Sequence, residues 1–371
     1  MILDQPNPKS SRKKRGIMSA KTSLGNFFEH FSLGQNIEHA TPRTVTAGDA
    51  VLYGALYGSR FAVQSAETFA KAIGYEQAPL DDLLVFHTVF GKTVPDISLN
   101  AVANLGYADC RFLKPVFPGD TLTATSTVIG LRENSNRKTG VVYVRSTGRN
   151  QHGGTVLEYV RWVMVRKRSD AAPAPESNIP KLPEKVEPSA LGGAVPPIKR
   201  KSYNNILAGS AARWDDYHLG ERIDHADGMT IEEAEHQMAT RLYQNTARVH
   251  FNQHIEGCGR FGHRLVYGGH IISLVRALSF NGLANAFHVA AINGGKHIAP
   301  AFAGDTVYAW SEVLEKSAIE GREDIGALRL RTIGLKNRSA DGFPLMADEN
   351  TPEDGVILDL DYWVIMPRSF S

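Results

Sequence analysis

Apolar positions along the chain fall into two rhythms, each of which occurs twice. "TAGDAVLYGALYGSRF" and "IEEAEHQMATRLYQNT" space their apolar residues at helical intervals and carry acidic residues in the first turn, where the helix dipole favours them. A second, more apolar helix follows each of them, "DDLLVFHTVFGKTV" in one case and "GHIISLVRALSFNGL" in the other. Downstream of the first of these, "TLTATSTVIGL", "GVVYVRSTGRN" and "VLEYVRWVMVRKR" alternate β-branched residues between turn signals and predict three antiparallel strands. Helices followed by strands are an α+β pattern, with one apolar helix per unit lying against a curved antiparallel sheet.

The recurrence is an internal repeat. "FFEHFSLGQNIEHATPRTVT" (27–46) returns as "RWDDYHLGERIDHADGMTIE" (213–232), so that Gly34, Ile37 and His39 match Gly220, Ile223 and His225 at an offset of 186. "FLKPVFPGDTLTATSTVIG" (112–130) returns as "HIAPAFAGDTVYAWSEVLE" (297–315) at an offset of 185. "TGVVYVRSTGRNQ" matches "IGALRLRTIGLKN", and "LEYVRWVMVRKR" matches "LDLDYWVIMPRS" after an insertion, 339–355, that is rich in turn residues. The chain divides into an N-terminal extension (1–23), a first unit (24–168), a linker (169–201) and a second unit (202–371). The linker holds seven of the eighteen prolines and reads as extended.

Charge and composition narrow the function classes. The formal net charge is +2, but residues 1–17 hold five basic residues and one acid, which leaves the rest at about −2. That leader lacks the apolar core of a signal peptide; it reads as an upstream start-site extension before Met18, with a nucleic-acid-binding arm as the alternative. The body gives no reason to expect a nucleic-acid partner. No apolar run is long enough to span a bilayer, so no membrane partner is expected. Two cysteines, Cys110 and Cys258, cannot build a disulfide framework; both read as small buried residues in a reducing, cytoplasmic setting.

Several motifs compete for the chemistry. "GCGRFG" (257–262) fits a dinucleotide-binding pattern by letter, but no strand precedes it and no acidic residue stands about 20 positions on. His250 and His254 are spaced i, i+4, with His263 and His270 beyond, yet no carboxylate or thiolate pattern completes a metal site. Asp81 and Asp82 place negative charge at a helix N-terminus. Gly268 and Gly269 stand where an apolar helix begins, so their unpaired N–H groups could face a developing oxyanion or simply start the helix. His250 alone could equally be a hydrogen-bonded structural histidine.

The repeat, the "PGDT" and "AGDT" turns and the order helix, apolar helix, sheet resemble the MaoC-like hydratases in their double-hotdog form, from Leu24 to the C-terminus. The family motif is an aspartate, any residue, an asparagine, a proline, an aliphatic residue and a histidine, followed by a glycine that opens the hotdog helix. On the second copy the histidine falls on His250 and the glycine on Gly268, with Gly269 beside it; the aspartate position is Asn245, the asparagine Ala247 and the proline Arg248. On the first copy Ser59 and Gln64 replace the acid and the histidine, so that half is expected to shape the acyl-CoA pocket without transferring protons.

The resemblance implies a hydro-lyase acting on an enoyl thioester, with no cofactor beyond the CoA of the substrate and, by analogy, a homodimer. His250 would take or give the proton, Gly268 and Gly269 would bind the thioester oxygen, and Asn245 would position water, since an amide does not ionise in the useful range. A second proton carrier would be Glu235 or the substrate's own carboxylate; Glu235 matches Asp49, so a shared structural role is equally open. Arg248 would hold a carboxylate if the acyl group carries one. Hydration of another enoyl-CoA, a thioesterase and a non-catalytic acyl-CoA binding protein are the alternatives.

Overall fold

The computed structural model describes residues 21–369, so the basic leader and both of its readings lie outside the described residues. Ten strands form one antiparallel sheet in the order β1-β3-β4-β5-β2-β7-β10-β9-β8-β6. The first half supplies β1 (Asn36–Thr44), β2 (Ala101–Phe112), β3 (Thr121–Glu133), β4 (Thr139–Arg149) and β5 (Thr155–Arg166). The second supplies β6 (Arg222–Thr230), β7 (His288–His297), β8 (Thr306–Ile319), β9 (Arg322–Lys336) and β10 (Val356–Pro367). Each half has the same internal order, and β2 pairs with β7 to make the sheet continuous, Tyr107 facing Gly295 and Arg111 facing Ala291.

Each half wraps a central helix, Asp82–Thr93 in the first and Gly268–Leu278 in the second. Every residue from Leu83 to Thr93 and from Gly269 to Leu278 is buried, which explains why neither segment has a polar solvent stripe and why the polar residues they carry, His87, Lys92, His270 and Arg276 among them, are enclosed. Asp81 caps the first helix by accepting the Leu83 N–H at 2.9 Å. Shorter helices, Ala47–Tyr57 and Glu233–Leu242, precede them and meet each other between the halves.

The repeated histidines of the "IEH" and "IDH" segments hold the sheet. His39 bonds Asp96 and Ser126, and His225 bonds the Asn281 carbonyl and Ser311, with Ser126–Ser146 and Ser311–Thr332 continuing each relay inward. The two GDT turns are closed alike, Asp120 accepting the Phe117 N–H and Asp305 the Phe302 N–H, each at 2.9 Å.

Two expectations change. Each half has five strands rather than three. Cys258 is exposed, because the Gly-rich 257–262 segment is a surface turn, whereas Cys110 is buried as expected. The linker runs across the surface of the two halves, with Val186, Leu191, Val195 and Ile198 buried against Phe287, Ile325 and Trp363.

Candidate active site

The chain reaches the site through a folded-back turn. After the helix Glu233–Leu242, Gln244 takes a positive φ of 54°, the Asn245 N–H returns to the Thr240 carbonyl, and the Asn245 side-chain oxygen accepts the Ala247 N–H at 3.0 Å. This Asx turn leads into a 3-10 turn, Arg248–His250. Asn245 is buried, and its acceptor is already used, so its amide NH2 is the part left to donate.

His250 Nδ1 lies 2.9 Å from the Leu265 carbonyl oxygen. A carbonyl only accepts, so the proton sits on Nδ1 and Nε2 presents a lone pair. Burial pushes the His250 pKa down to about 4, the neighbouring His236 adds to this, and the Leu265 hydrogen bond opposes it. The imidazole is therefore neutral at pH 7. Its ring meets Tyr267 edge-on, with centroids 5.4 Å apart.

Tyr267 is also the N-cap residue of the second central helix and offers that helix no side-chain cap. Among the described residues the N–H groups of Gly268 and Gly269 meet no acceptor, so two donors at the positive end of an 11-residue helix stay open. The glycines are required sterically. A Cβ at 268 would overlap His297 Nε2, and one at 269 would overlap Tyr267 and lie 2.6 Å from His87 Cε1.

His297 is the residue that sequence reasoning missed. It ends β7, its Nε2 is buried without a partner among the described residues, and burial together with the nearby His250 pushes its pKa down to about 4. The first copy has Phe112 at the matching position, and that polar-for-apolar exchange between copies was the available signal.

The other candidates spread out. Glu235 is half-buried, and among the described residues no hydrogen bond or ion pair joins it to His250; Glu233 instead pairs with Arg264 and His236. Arg248 is exposed at the start of the 3-10 turn. His270 is tied to the Tyr57 hydroxyl at 3.0 Å, and among the described residues no three His, Cys, Asp or Glu side chains converge as metal ligands. In the first copy Gln64 donates to the Phe287 carbonyl at 2.7 Å and, with Ser59, Tyr53 and Asp81, lines a cavity of about 200 Å³.

Comparison with known proteins agrees with this architecture. A family model described as mesaconyl-CoA hydratase matches residues 15–344. The chain is 64% identical to a β-methylmalyl-CoA dehydratase of Chloroflexus aurantiacus, over 95% of this chain and 99% of that protein. It is 56% identical to a mesaconyl-CoA hydratase of Cereibacter sphaeroides, over 94% of this chain and all of the other. A crystal structure described as a MaoC domain protein dehydratase from Chloroflexus aurantiacus superposes with a TM-score of 0.93 at 63% identity, covering 95% of this chain and all of that one. A double-hotdog protein of Mycobacterium tuberculosis shares the fold at 24% identity, with a TM-score of 0.71 over 93% of this chain and 99% of the other. A repeated helix-and-sheet unit, one copy with the histidine and open helix N-terminus, and full-length likeness to two such enzymes place this chain in the mesaconyl-CoA hydratase family of MaoC-like double-hotdog proteins.

Proposed function

We propose that the protein adds water to mesaconyl-CoA and, in reverse, dehydrates β-methylmalyl-CoA, at the corner formed by His250 and the N-terminus of the Gly268 helix. One observation carries this reading: a neutral histidine with a free Nε2 shares Tyr267 as a neighbour with two unpaired helix N–H groups, so a base and an oxyanion site stand together.

In the forward direction water oxygen bonds to the β-carbon while His250 Nε2 takes one of its protons. The π electrons move toward the thioester, whose oxygen receives the Gly268 and Gly269 N–H groups. The α-carbon then takes the proton from the His250 imidazolium, which restores the neutral base. Asn245 holds the water through its amide NH2. His297, neutral beside Gly268, gives a further N–H to the enolate oxygen, as a neutral imidazole can. Among the described residues Glu235 has no hydrogen bond or ion pair that supports a share in proton transfer, so the route through His250 alone is preferred.

The homologous enzymes' names, with the intact second-copy histidine, support a hydro-lyase over a thioesterase. We place the reaction in the ethylmalonyl-CoA pathway, in the cytoplasm, with the protein as a homodimer by analogy with hotdog relatives. The test is to mix the protein with mesaconyl-CoA and follow the conjugated thioester band. Loss of the band with wild type, and a rate about 100-fold lower or less with His250→Ala, is the expected outcome. Release of free thiol would identify a thioesterase instead, and an unchanged band with both proteins would refute turnover.

A further inference from the structure

We infer that Arg161, in the half that lacks the proton-transfer residues, seats the free carboxylate of the acyl group. This rests on the reading that the substrate carries such a group.

Arg161 lies on β5 and is fully buried. Its Nη2 donates to two neutral hydroxyls, Thr93 Oγ1 at 2.8 Å and Ser98 Oγ at 3.3 Å, its Cζ sits 4.2 Å above the Phe90 ring, and its Nε has no partner among the described residues. Among the described residues no carboxylate forms an ion pair with it. Guanidinium stays charged, and a buried charge is ordinarily paired. The ring of Phe90 compensates only in part. A dry cation with an idle N–H and no anion of its own is what a bound carboxylate would complete.

Its place relative to the chemistry fits. Phe90 lies 5.8 Å from Tyr267, the residue before Gly268, and Tyr107, which faces Arg161 across the β2–β5 ladder, lies 6.1 Å from His297. Two aromatic rings, Phe90 and Tyr267, thus link the guanidinium to the oxyanion glycines, and it lies on the first-half side. In a mesaconyl thioester the free carboxylate is attached to the β-carbon, across the reacting double bond from the thioester, and so needs a cation on the far side of that bond from the oxyanion donors. The second copy has Tyr362 here: it faces Ile292, the counterpart of Tyr107, and its hydroxyl accepts from Thr332. The cation belongs to one half only, so it is no requirement of the repeated fold. Arg248, the candidate from sequence, is exposed, where an ion pair with a carboxylate contributes little against water.

The experiment measures dissociation constants of two saturated thioesters, methylsuccinyl-CoA and butyryl-CoA, and kcat/KM for mesaconyl-CoA and crotonyl-CoA, with wild type, Arg161→Met, Arg161→Gln and Arg248→Leu. The wild type should prefer the carboxylated member of each pair. Arg161→Met should lose that preference by at least about 100-fold while butyryl-CoA binding is kept, and its Tm without ligand should rise, because an unpaired buried charge has been removed. Arg161→Gln keeps a donor for the two hydroxyls and supplies the same comparison if the methionine variant does not fold. Arg248→Leu should leave the preference within about threefold of wild type. A retained preference in both Arg161 variants overturns the assignment, as does an equal loss for both thioesters with a lowered Tm, the mark of a structural arginine. Arg161-dependent preference in a protein that does not hydrate mesaconyl-CoA would sink the hydratase reading and leave this one standing. Hydration of mesaconyl-CoA with preference unaffected by Arg161 would do the reverse.

Discussion

Tyr57 and Tyr243, the same position in the two copies, share one hydrogen bond of 2.7 Å between their hydroxyls, so the chain's internal symmetry closes on a buried contact of a residue with its own counterpart. The contact is not symmetric, since Tyr57 also bonds His270 Nδ1 at 3.0 Å. Tyr57→Phe leaves two buried polar groups short of a partner, whereas Tyr243→Phe leaves Tyr57 still paired with His270. Each orphaned group costs about 1–3 kcal/mol. Urea unfolding should show Tyr57→Phe to be the more destabilising, with the double variant less than additive; equal costs would mean that His270 has no share in the network.

Gly91 sits on the same seam. A Cβ there would overlap the Tyr243 carbonyl oxygen, and backbone cannot step aside as a flexible side chain can. Gly91→Ala must part the first central helix from the segment that leads to Asn245 and His250. We expect a loss of roughly 3 kcal/mol or more by denaturant unfolding, along with reduced hydration activity. A variant of unchanged stability would show that the two halves can slide at low cost.

The central helices and the repeat were legible because both signals are local: runs of apolar residues, and the same turn chemistry met twice. The flanking strands were not. β1 is an edge strand, mostly exposed and polar, while β2 and β7 carry glycine and alanine in the seam between halves, where a close approach of strands rather than β-branched packing sets the residue type. His250 and Gly268 could be found through the motif. His297 could not, because it meets Gly268 only through the fold, 29 residues on. Arg161 was hidden by its type. It takes its turn on the inner face between Tyr159 and Val163, but an arginine in an alternating strand suggests the solvent side.

The pH dependence of kcat/KM should reveal the environment of His250. If His250 is the base, it is active as the neutral imidazole, so activity is lost as pH falls through its pKa in the folded protein, which burial sets at about 4. The profile should run flat from about pH 8 to about pH 5 and drop tenfold per pH unit only below about 4, measured in brief assays after a jump from neutral buffer. A limb near 6.5 would mean that His250 is solvated and that burial does not hold its pKa down.

Stability has its own pH window. His87 and His270 are held neutral with pKa values down to about 3, and His225, His250 and His297 down to about 4, in each case chiefly by burial. Above the unfolded value of about 6.5 none of these matters. Below it the unfolded chain binds protons that the folded one refuses, and each group costs up to about 1.4 kcal/mol per pH unit until its folded pKa is reached. Asp81 acts in the opposite sense: burial raises its pKa to about 6, so the folded state gains its proton first as pH falls. One carboxyl against five histidines leaves a net loss. The urea midpoint should fall steadily from pH 6.5 to 4, and a flat midpoint over that range would contradict neutral burial of these rings.

His297→Phe recreates the first copy's residue, Phe112, beside Gly268. Phenylalanine keeps the packing against Gly268 and Tyr107 but removes the N–H, and it relieves a buried nitrogen that has no partner. Fold stability should therefore hold or rise. If His297 donates to the enolate oxygen, kcat should fall about 10²–10³-fold, as for the loss of one oxyanion donor, with KM changed little because the donor matters most when charge has developed. His297→Gln, which restores a donor, should recover part of that loss. Gly268→Ala supplies the contrast: its Cβ overlaps the same ring, so it should impair KM and kcat together. Full activity in His297→Phe would leave Gly268 and Gly269 as the only donors to the thioester oxygen and return His297 to a packing role.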